Sequence, residues 1–370
     1  MAPQLVFGWR TALLLAASVQ MGLIALALWQ PIANRSANRS LSCLLVAIVG
    51  VITPDTIGFA GFYDRFPWLS FAPFAVPLAI GPLLYGYTHA IGFGRLPHRF
   101  ALHLAPAGAQ FLYQLAIFVQ PLPRKAGWDA TVTPYVEPLL TLALLMSLAG
   151  YAVASLRLLT RYRGRLAQER SDDDRLSARW LSRAVTALLL LMIVWFCFEG
   201  WSHIIAPLDY FGDVGRYLAT AFIGCYLAVE GWRHAARPSA AFVWMPVHEP
   251  VAASRDWAAT GEAWAAEVRA GQWYRDPELS IGRLARMLGT NSGYLSRALN
   301  QGLSLNFSTF IARLRCEAVA DALRAGSKSD LVDLALDAGF GSKATFNRAF
   351  RARFGQSPSA FRRLHGSDPE

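Results

Sequence analysis

Seven stretches of this chain are apolar over about 20 residues each, the length a helix needs to cross the hydrocarbon core of a bilayer. They fall at 11–29, 41–61, 68–92, 100–120, 135–156, 181–203 and 214–232. Composition agrees: 54% of the 370 residues are hydrophobic and only 16% are charged, an average that mixes spanning segments with something soluble. The first run follows Arg10 but has no small-residue cleavage site after a short core, so it reads as a retained helix. The third run carries Pro73, Pro77 and Pro82, where kinks are expected.

Arginine placement sets an orientation. If the first, third and fifth connections and the end of the seventh run face the cytoplasm, that side carries 14 basic residues, eight of them between Arg157 and Arg183, against 5 on the other. This expectation puts the N-terminus outside and everything after residue 233 inside the cell. Asp55, Glu137, Glu199 and His203 then fall toward the outer ends of their helices. Ionisable groups at that depth are costly, and four of them at similar height could line a pocket open to the outside. The alternative is that Glu137 and His203 are hydrated at the interface while Asp55 and Glu199 satisfy neighbouring helices. The four cysteines (Cys43, Cys197, Cys225 and Cys316) show neither a disulfide framework nor metal-ligand spacing and are expected to be packing residues. No cofactor or metal is called for.

Beyond Trp232 the character changes. Residues 234–254 contain Pro238, Pro246 and Pro250 and hold no sustained helical period, as expected of an irregular tether. Its start, Arg233, His234 and Arg237, suits anionic headgroups. From residue 255 to 370 there are 16 basic and 12 acidic residues, and from Gly339 to Gly366 there are basic residues only: Lys343, Arg348, Arg351, Arg353, Arg362 and Arg363. A concentrated basic patch on a small helical unit is the footprint of a phosphate-backbone binder, in line with the net charge of +10.

Two helix-turn-helix patterns occur there. Ile281, Leu284 and Leu288 precede a break at Gly289, then Tyr294, Leu295 and Leu299 follow. Leu331, Leu334 and Ala335 precede a break at Gly339, then Phe346, Phe350 and Phe354 follow at every fourth position and must face a core. That leaves Lys343, Ala344, Asn347, Arg348 and Arg351 pointing outward. Between the copies a helix is expected with Asn306 as N-cap and Gly326 as its stop. At roughly 19 residues and ~1.5 Å each it is about 28 Å long. Successive major-groove faces of one duplex repeat every ~34 Å, so such a connector can place two reading helices in neighbouring grooves.

The residues "LARMLGTNSGYLSR" (284–297), "FIARLRCEAV" (310–319), "DLALDAGFGSKATFNRAFRARFG" (333–355) and "SPSAFRR" (357–363) resemble the DNA-binding domain of the AraC family of bacterial transcription regulators. "GPLLYGY" (81–87) resembles, more weakly, the seven-helix part of a membrane-bound subgroup. The resemblance implies a double-stranded DNA partner and a first reading helix at Asn291–Asn300. In it Gly293, Ser296 and Arg297 face the groove, and Ser292 lies near phosphate. It implies a second at Ser342–Arg353, with Lys343, Ala344, Asn347 and Arg348 at base edges and Ser342 and Arg351 near phosphates. Arg297 and Arg348 suit guanine and Asn347 suits adenine, whereas Gly293 and Ala344 depart from a pattern of long polar readers.

The expected architecture is therefore all-α. A seven-transmembrane-helix bundle (1–233) and a juxtamembrane linker (234–254) precede a soluble double helix-turn-helix domain (255–370). The expected function is a non-enzymatic, membrane-embedded regulator, an activator or otherwise, whose bundle senses a small-molecule or envelope signal, acting alone or as a homodimer. A passive membrane anchor on the same DNA reader is the alternative. A transporter or membrane enzyme with a protein-contact tail fits less well, because the sequence has no H-E-x-x-H, nucleotide loop or nucleophile constellation.

Overall fold

The computed structural model describes residues 4–30, 33–169, 179–204, 213–236 and 256–365. The fold is helical, and among the described residues no strand forms. The chain divides into two compact units, Met1–Leu159 with Arg179–Val243, and Thr160–Ala178 with Trp244–Glu370.

The first unit is organised by α2 (Arg35–Gly58), which packs against α1 (Trp9–Ala27), α4 (Ile80–Phe93) and α10 (Val214–Ala235). Between α2 and α4 lies the short helix α3 (Phe62–Arg65). Leu41, Leu44, Leu45, Ile48, Val51 and Ile52 recur at helical spacing and are all buried, so the α2 stripe is a core stripe. Two glycines of α10 let it lie against this stripe. A Cβ on Gly231 would stand 2.2 Å from Leu41, and one on Gly224 would stand 2.5 Å from Met21 and 2.9 Å from Ile48. Small residues at a helix contact are how membrane helices bring their backbones close.

Four described helices, not seven, are long and apolar enough to cross a membrane: Trp9–Ala27, Arg35–Gly58, Thr133–Gln168 and Trp180–Phe198. The last two belong to α8 (Thr133–Glu169) and α9 (Arg179–Ile204). The expected run at 68–92 is broken by turns and 3-10 segments starting at Pro67 and Pro77, which leaves α4 with 14 residues. The run at 100–120 is split at Leu104 into α5 (Phe100–His103) and α6 (Ala105–Phe118), with proline in the first turn of α6. Helices of 14 residues reach only about 21 Å, short of a ~30 Å core. After α7 (Leu122–Thr131) and the two long helices comes α10, with 22 residues; Arg216, Glu230 and Arg233 dilute its apolar run. The cysteine expectation holds for Cys316, which is buried, and fails for Cys43 and Cys197, which are exposed.

In the second unit α11 (Trp257–Ala270) starts at Asp256, whose side chain accepts from the Ala258 and Ala259 amides at 3.0 Å. Two helix-turn-helix units follow: α12 (Ile281–Met287) with α13 (Ser292–Arg297), and α15 (Leu331–Asp337) with α16 (Lys343–Phe354). Between them runs α14 (Phe307–Arg324), and α17 (Pro358–His365) closes the unit. The sequence signals for α14 are met: Asn306 accepts from the Thr309 amide at 2.9 Å, and Gly326 turns the chain out at φ +78°.

α14 belongs to two cores. Its first half gives Phe307, Phe310, Ile311 and Leu314 to a cluster with Leu284, Leu295 and Leu299. Its second half gives Cys316, Val319, Ala320 and Leu323 to a cluster with Phe340, Phe346, Phe350 and Phe361. Arg315 lies at the junction, only 2% exposed. Its guanidinium donates to the Tyr274 and Asp276 carbonyls, both at 2.7 Å, and lies 5.8 Å from the Phe340 ring. Gly339 closes the same seam: at φ +94°, a Cβ there would lie 2.5 Å from the Arg275 carbonyl oxygen, so only glycine fits. The linker expected at 234–254 lies, from residue 237 on, outside the described residues.

Candidate nucleic-acid interface

The second reading helix is built by one sequence period. Phe346 and Phe350 are buried and Phe354 is partly so, and with Phe361 they pack in tilted and edge-to-face pairs, with ring centroids 4.6 to 5.4 Å apart. Once that face is spent on the core, Lys343, Ala344, Asn347, Arg348 and Arg351 are exposed on the other, as the spacing implies. Ser342 is the N-cap: its hydroxyl accepts from the Thr345 amide at 3.2 Å and pairs with the Thr345 hydroxyl at 2.8 Å. Gly355 at φ +73° ends the helix.

The first reading helix is shorter than expected. Regular helix covers Ser292–Arg297, and Ala298–Gly302 follows as a π turn. The widening accompanies a tight contact at Gly302, where a Cβ would stand 2.1 Å from the Trp257 carbonyl oxygen. Ser292 and Gly293 are exposed, while Ser296 and Arg297 are half-buried. Asn291 is the N-cap, its Oδ1 accepting from the Tyr294 amide at 2.9 Å, and the Ser296 hydroxyl accepts from Asn300 Nδ2 at 3.1 Å. Asn291 and Ser342 thus spend side-chain oxygens on starting their helices.

The basic surface is narrower than the sequence count. Arg353 is held by Glu317 at 3.1 Å, and the other Glu317 oxygen holds Arg269 at 3.3 Å. Arg362 donates to the Ser329 carbonyl at 2.5 Å. Lys343, Arg348, Arg351 and Arg363 keep exposed positions. One feature escaped the sequence reading, a groove of about 520 Å³ between α14 and α16. Ser308, Thr309 and Arg313 line one wall and Thr345 and Arg348 the other, a setting suited to a phosphate. Its trace in the sequence is the polar set Thr309 and Arg313 on α14, off the stripe of Phe310, Ile311 and Leu314.

Residues 284–364 match the helix-turn-helix domain family. Regulatory protein SoxS of Escherichia coli, in strain K12 and in O157:H7, is 31% identical over 87 residues, which is 24% of this chain and 80% of that protein. The chain belongs to the AraC family of helix-turn-helix regulators. Among solved structures, the C-terminal domain of AraT, a response regulator from Geobacillus stearothermophilus, is 22% identical, with a TM-score of 0.26 over 29% of this chain and 87% of that one. The AraC match covers the DNA-reading unit and leaves the N-terminal helices outside it.

In the N-terminal unit, of the four ionisable residues singled out, Asp55 and Glu137 have described side chains. Asp55 is 7% exposed near the end of α2, and the groups acting on its carboxylate are Arg216, the Tyr217 hydroxyl and Asp213. Arg216 is ion-paired with Asp213 and donates to Tyr217 Oη at 3.1 Å, and its guanidinium lies 4.7 Å from the Trp195 ring. Glu137 is exposed on α8. Glu199 and His203 lie on α9, but their side chains fall outside the described residues. Next to Trp195, whose indole donates to Thr220 at 3.2 Å, is an almost wholly apolar cavity of about 30 Å³ lined by Ile48, Ile80, Leu144 and Leu188. That is room for a single water.

Proposed function

We propose that this AraC-type regulator is embedded in the bacterial cytoplasmic membrane. Residues 1–233 sense a signal, 234–254 tether, and 255–370 read double-stranded DNA in the cytoplasm. The observation that carries the DNA reading is the division of α16 into a phenylalanine face in the core and an exposed face of Lys343, Asn347, Arg348 and Arg351 without a carboxylate. Arg348 and Asn347 are the base readers in this assignment, with Arg297 their counterpart on α13. Gly293, Ser296 and Ala344 flank them, and Ser292, Ser342 and Arg351 take phosphate.

Embedding is supported by four apolar helices of spanning length on the same chain. Orientation is supported by arginines. The eight between Arg157 and Arg183 and the tail after residue 233 share the cytoplasmic side only if α9 and α10 cross as a pair. With α1, α2 and α8 that pair makes five crossings and puts the N-terminus outside; the broken segments 68–93 and 100–120 must traverse, as a pair, only to bring Arg95 and Arg99 to the cytoplasmic side, which irregular backbone can do where protein covers it. Sensing is supported by Asp55, whose buried carboxylate on the central helix meets Arg216 and Tyr217 at the start of α10, the helix that leads to the tail. Buried ionisable groups at membrane depth are expensive and mark functional sites. Ligand binding there would bias one α2–α10 arrangement over another.

The test is genome-wide crosslinking of the intact membrane-resident protein beside Arg297→Ala/Arg348→Ala at equal membrane level. Discrete sites in the wild type, lost in the variant, are expected. Arg348→Ala alone should relax one base position by about 1–3 kcal/mol. No wild-type sites, with none for a 250–370 fragment either, would sink the DNA reading. Replacing the bundle by one unrelated span and finding regulation unchanged would reduce it to an anchor.

A further inference from the structure

The face of α1 and α2 turned away from the rest of the first unit carries an open groove of about 420 Å³. Val19, Gly22, Leu23 and Leu26 of α1 form one wall, at i, i+3, i+4 and i+7, and Ser42 and Val46 of α2 form the other. Val19, Leu23, Leu26 and Val46 are each more than half exposed, so the trough is apolar and open. It closes at Trp29, whose indole donates to the Ser42 hydroxyl at 2.8 Å, while that hydroxyl donates to the Ala25 carbonyl at 2.7 Å. Over the fixed ring stands the Arg39 guanidinium, 5.1 Å from its centroid. Arg39, Ser42 and Val46 follow one another along a single α2 face, and Arg35 lies one turn before Arg39. The trough therefore runs into a doubly basic end on the side that arginine placement makes cytoplasmic.

We propose that this groove binds an anionic phospholipid, with an acyl chain along Val19, Leu23 and Val46 and the headgroup phosphate at Arg35 and Arg39. The proposal rests on the membrane-embedded reading above. Charge complementarity selects the occupant. A second copy seated by the same face would meet the two arginines with no carboxylate, because α1 has no acidic residue and the single acid of α2, Asp55, is buried near its far end. Basic pockets on the cytoplasmic side of membrane helices are suited to anionic headgroups. The bound headgroup would also sit one residue from Asn38, whose amide donates to the Ala235 carbonyl at 3.2 Å at the end of α10. Anionic lipid is thus placed to bias the contact that precedes the DNA-reading tail.

Gly22 supplies the sharper variant, since a Cβ there meets nothing within 4 Å and Gly22→Leu puts a side chain into the trough. Full-length protein in mild detergent is offered phosphatidylglycerol or phosphatidylcholine of matched chains, and retained lipid and oligomeric state are read by native mass spectrometry. Wild type is expected to retain phosphatidylglycerol preferentially. Arg39→Gln and Arg35→Gln should each lower that retention roughly fivefold and leave phosphatidylcholine unchanged. Gly22→Leu should lower the retention of both lipids. Equal retention of the two lipids by wild type, or arginine variants that behave as wild type, would overturn the site. So would Gly22→Leu turning dimer into monomer at constant lipid, which would seat a second copy in the groove. Release of the chain from membranes by an alkaline wash, before any lipid is added, would instead refute the embedding on which the site depends.

Discussion

Two helices of almost equal length present opposite surfaces. α1 has 19 residues and buries Thr11, Leu14, Met21 and Ala25, leaving Leu13, Leu15, Val19, Leu23 and Leu26 exposed. α14 has 18 residues and buries ten, including Phe307, Ile311, Arg315 and Leu323, while its remaining positions include Arg313, Glu317, Asp321 and Arg324. In water the α1 surface would be an aggregation site; against acyl chains it costs nothing. α14 must draw its stability from burial, whereas α1, in the membrane-embedded reading proposed above, would be held mainly by the backbone's need to bond internally where water is absent. Length and helicity are shared, and the solvent decides which faces are core.

The comparison can be broken by substitution. Phe350→Ala, in the core that α14 shares, should cost about 3–5 kcal/mol, measured by urea unfolding of the 244–370 fragment. Leu26→Ala on the exposed face of α1 should leave the stability of the full-length protein unchanged within about 0.5 kcal/mol. Equal losses at the two positions would mean that α1 is packed by something absent from this chain. Next in size, Val19→Arg in the middle of α1 should cost ~2.5–3.5 kcal/mol on membrane insertion, read as the inserted fraction of a reporter fusion. Asp321→Arg on the exposed side of α14 should be neutral.

A third test uses Cys316, whose thiol is pushed up to about 12 by burial. An unfolded thiol ionises near 8.5, so the unfolded state gains charge first and stability falls as pH rises through that window. The slope should be ~1.4 kcal/mol per unit between about pH 9 and 11. Cys316→Ala should lower stability at neutral pH and flatten that slope; an unchanged slope would assign the alkaline loss to another group. Smallest of the four, Asn306→Ala should cost about 1 kcal/mol, seen as a shift in the urea midpoint without a change in m.

Much of the DNA-reading unit was legible in advance. The phenylalanines at every fourth position announced both the buried face and its exposed complement, and Asn306 and Gly326 announced where α14 begins and stops. The roles of individual polar residues were less legible. Arg315, Arg353 and Arg362 look in sequence like Arg348 and Arg351, yet Arg315 joins two cores, and Arg353 and Arg362 are committed to Glu317 and the Ser329 carbonyl. Asn291 and Ser342, which open the two reading helices, also cap them. In the N-terminal unit the apolar runs at 68–92 and 100–120 read as spans, but Pro77 and the break at Leu104, with proline in the first turn of α6, divide them. Nothing in the run of α2 announces that Arg216 and the Tyr217 hydroxyl, about 160 residues on, act on the Asp55 carboxylate.

The division has a physical cause. Helical propensity, caps and the solvent that a face prefers are set within a turn or two of the chain, and the sequence by itself determined them here: an all-helical protein, apolar at one end and amphipathic and basic at the other. Which polar group answers which is set by segments far apart. Arg315 meets a carbonyl 41 residues away, Arg353 a carboxylate 36 away, and Asn38 a carbonyl 197 away. A buried donor or charge must find a partner, but its sequence does not say whose. Only the tertiary structure decided that, and so separated Arg315, Arg353 and Arg362, which hold this protein together, from Arg348 and Arg351, which stay exposed on α16.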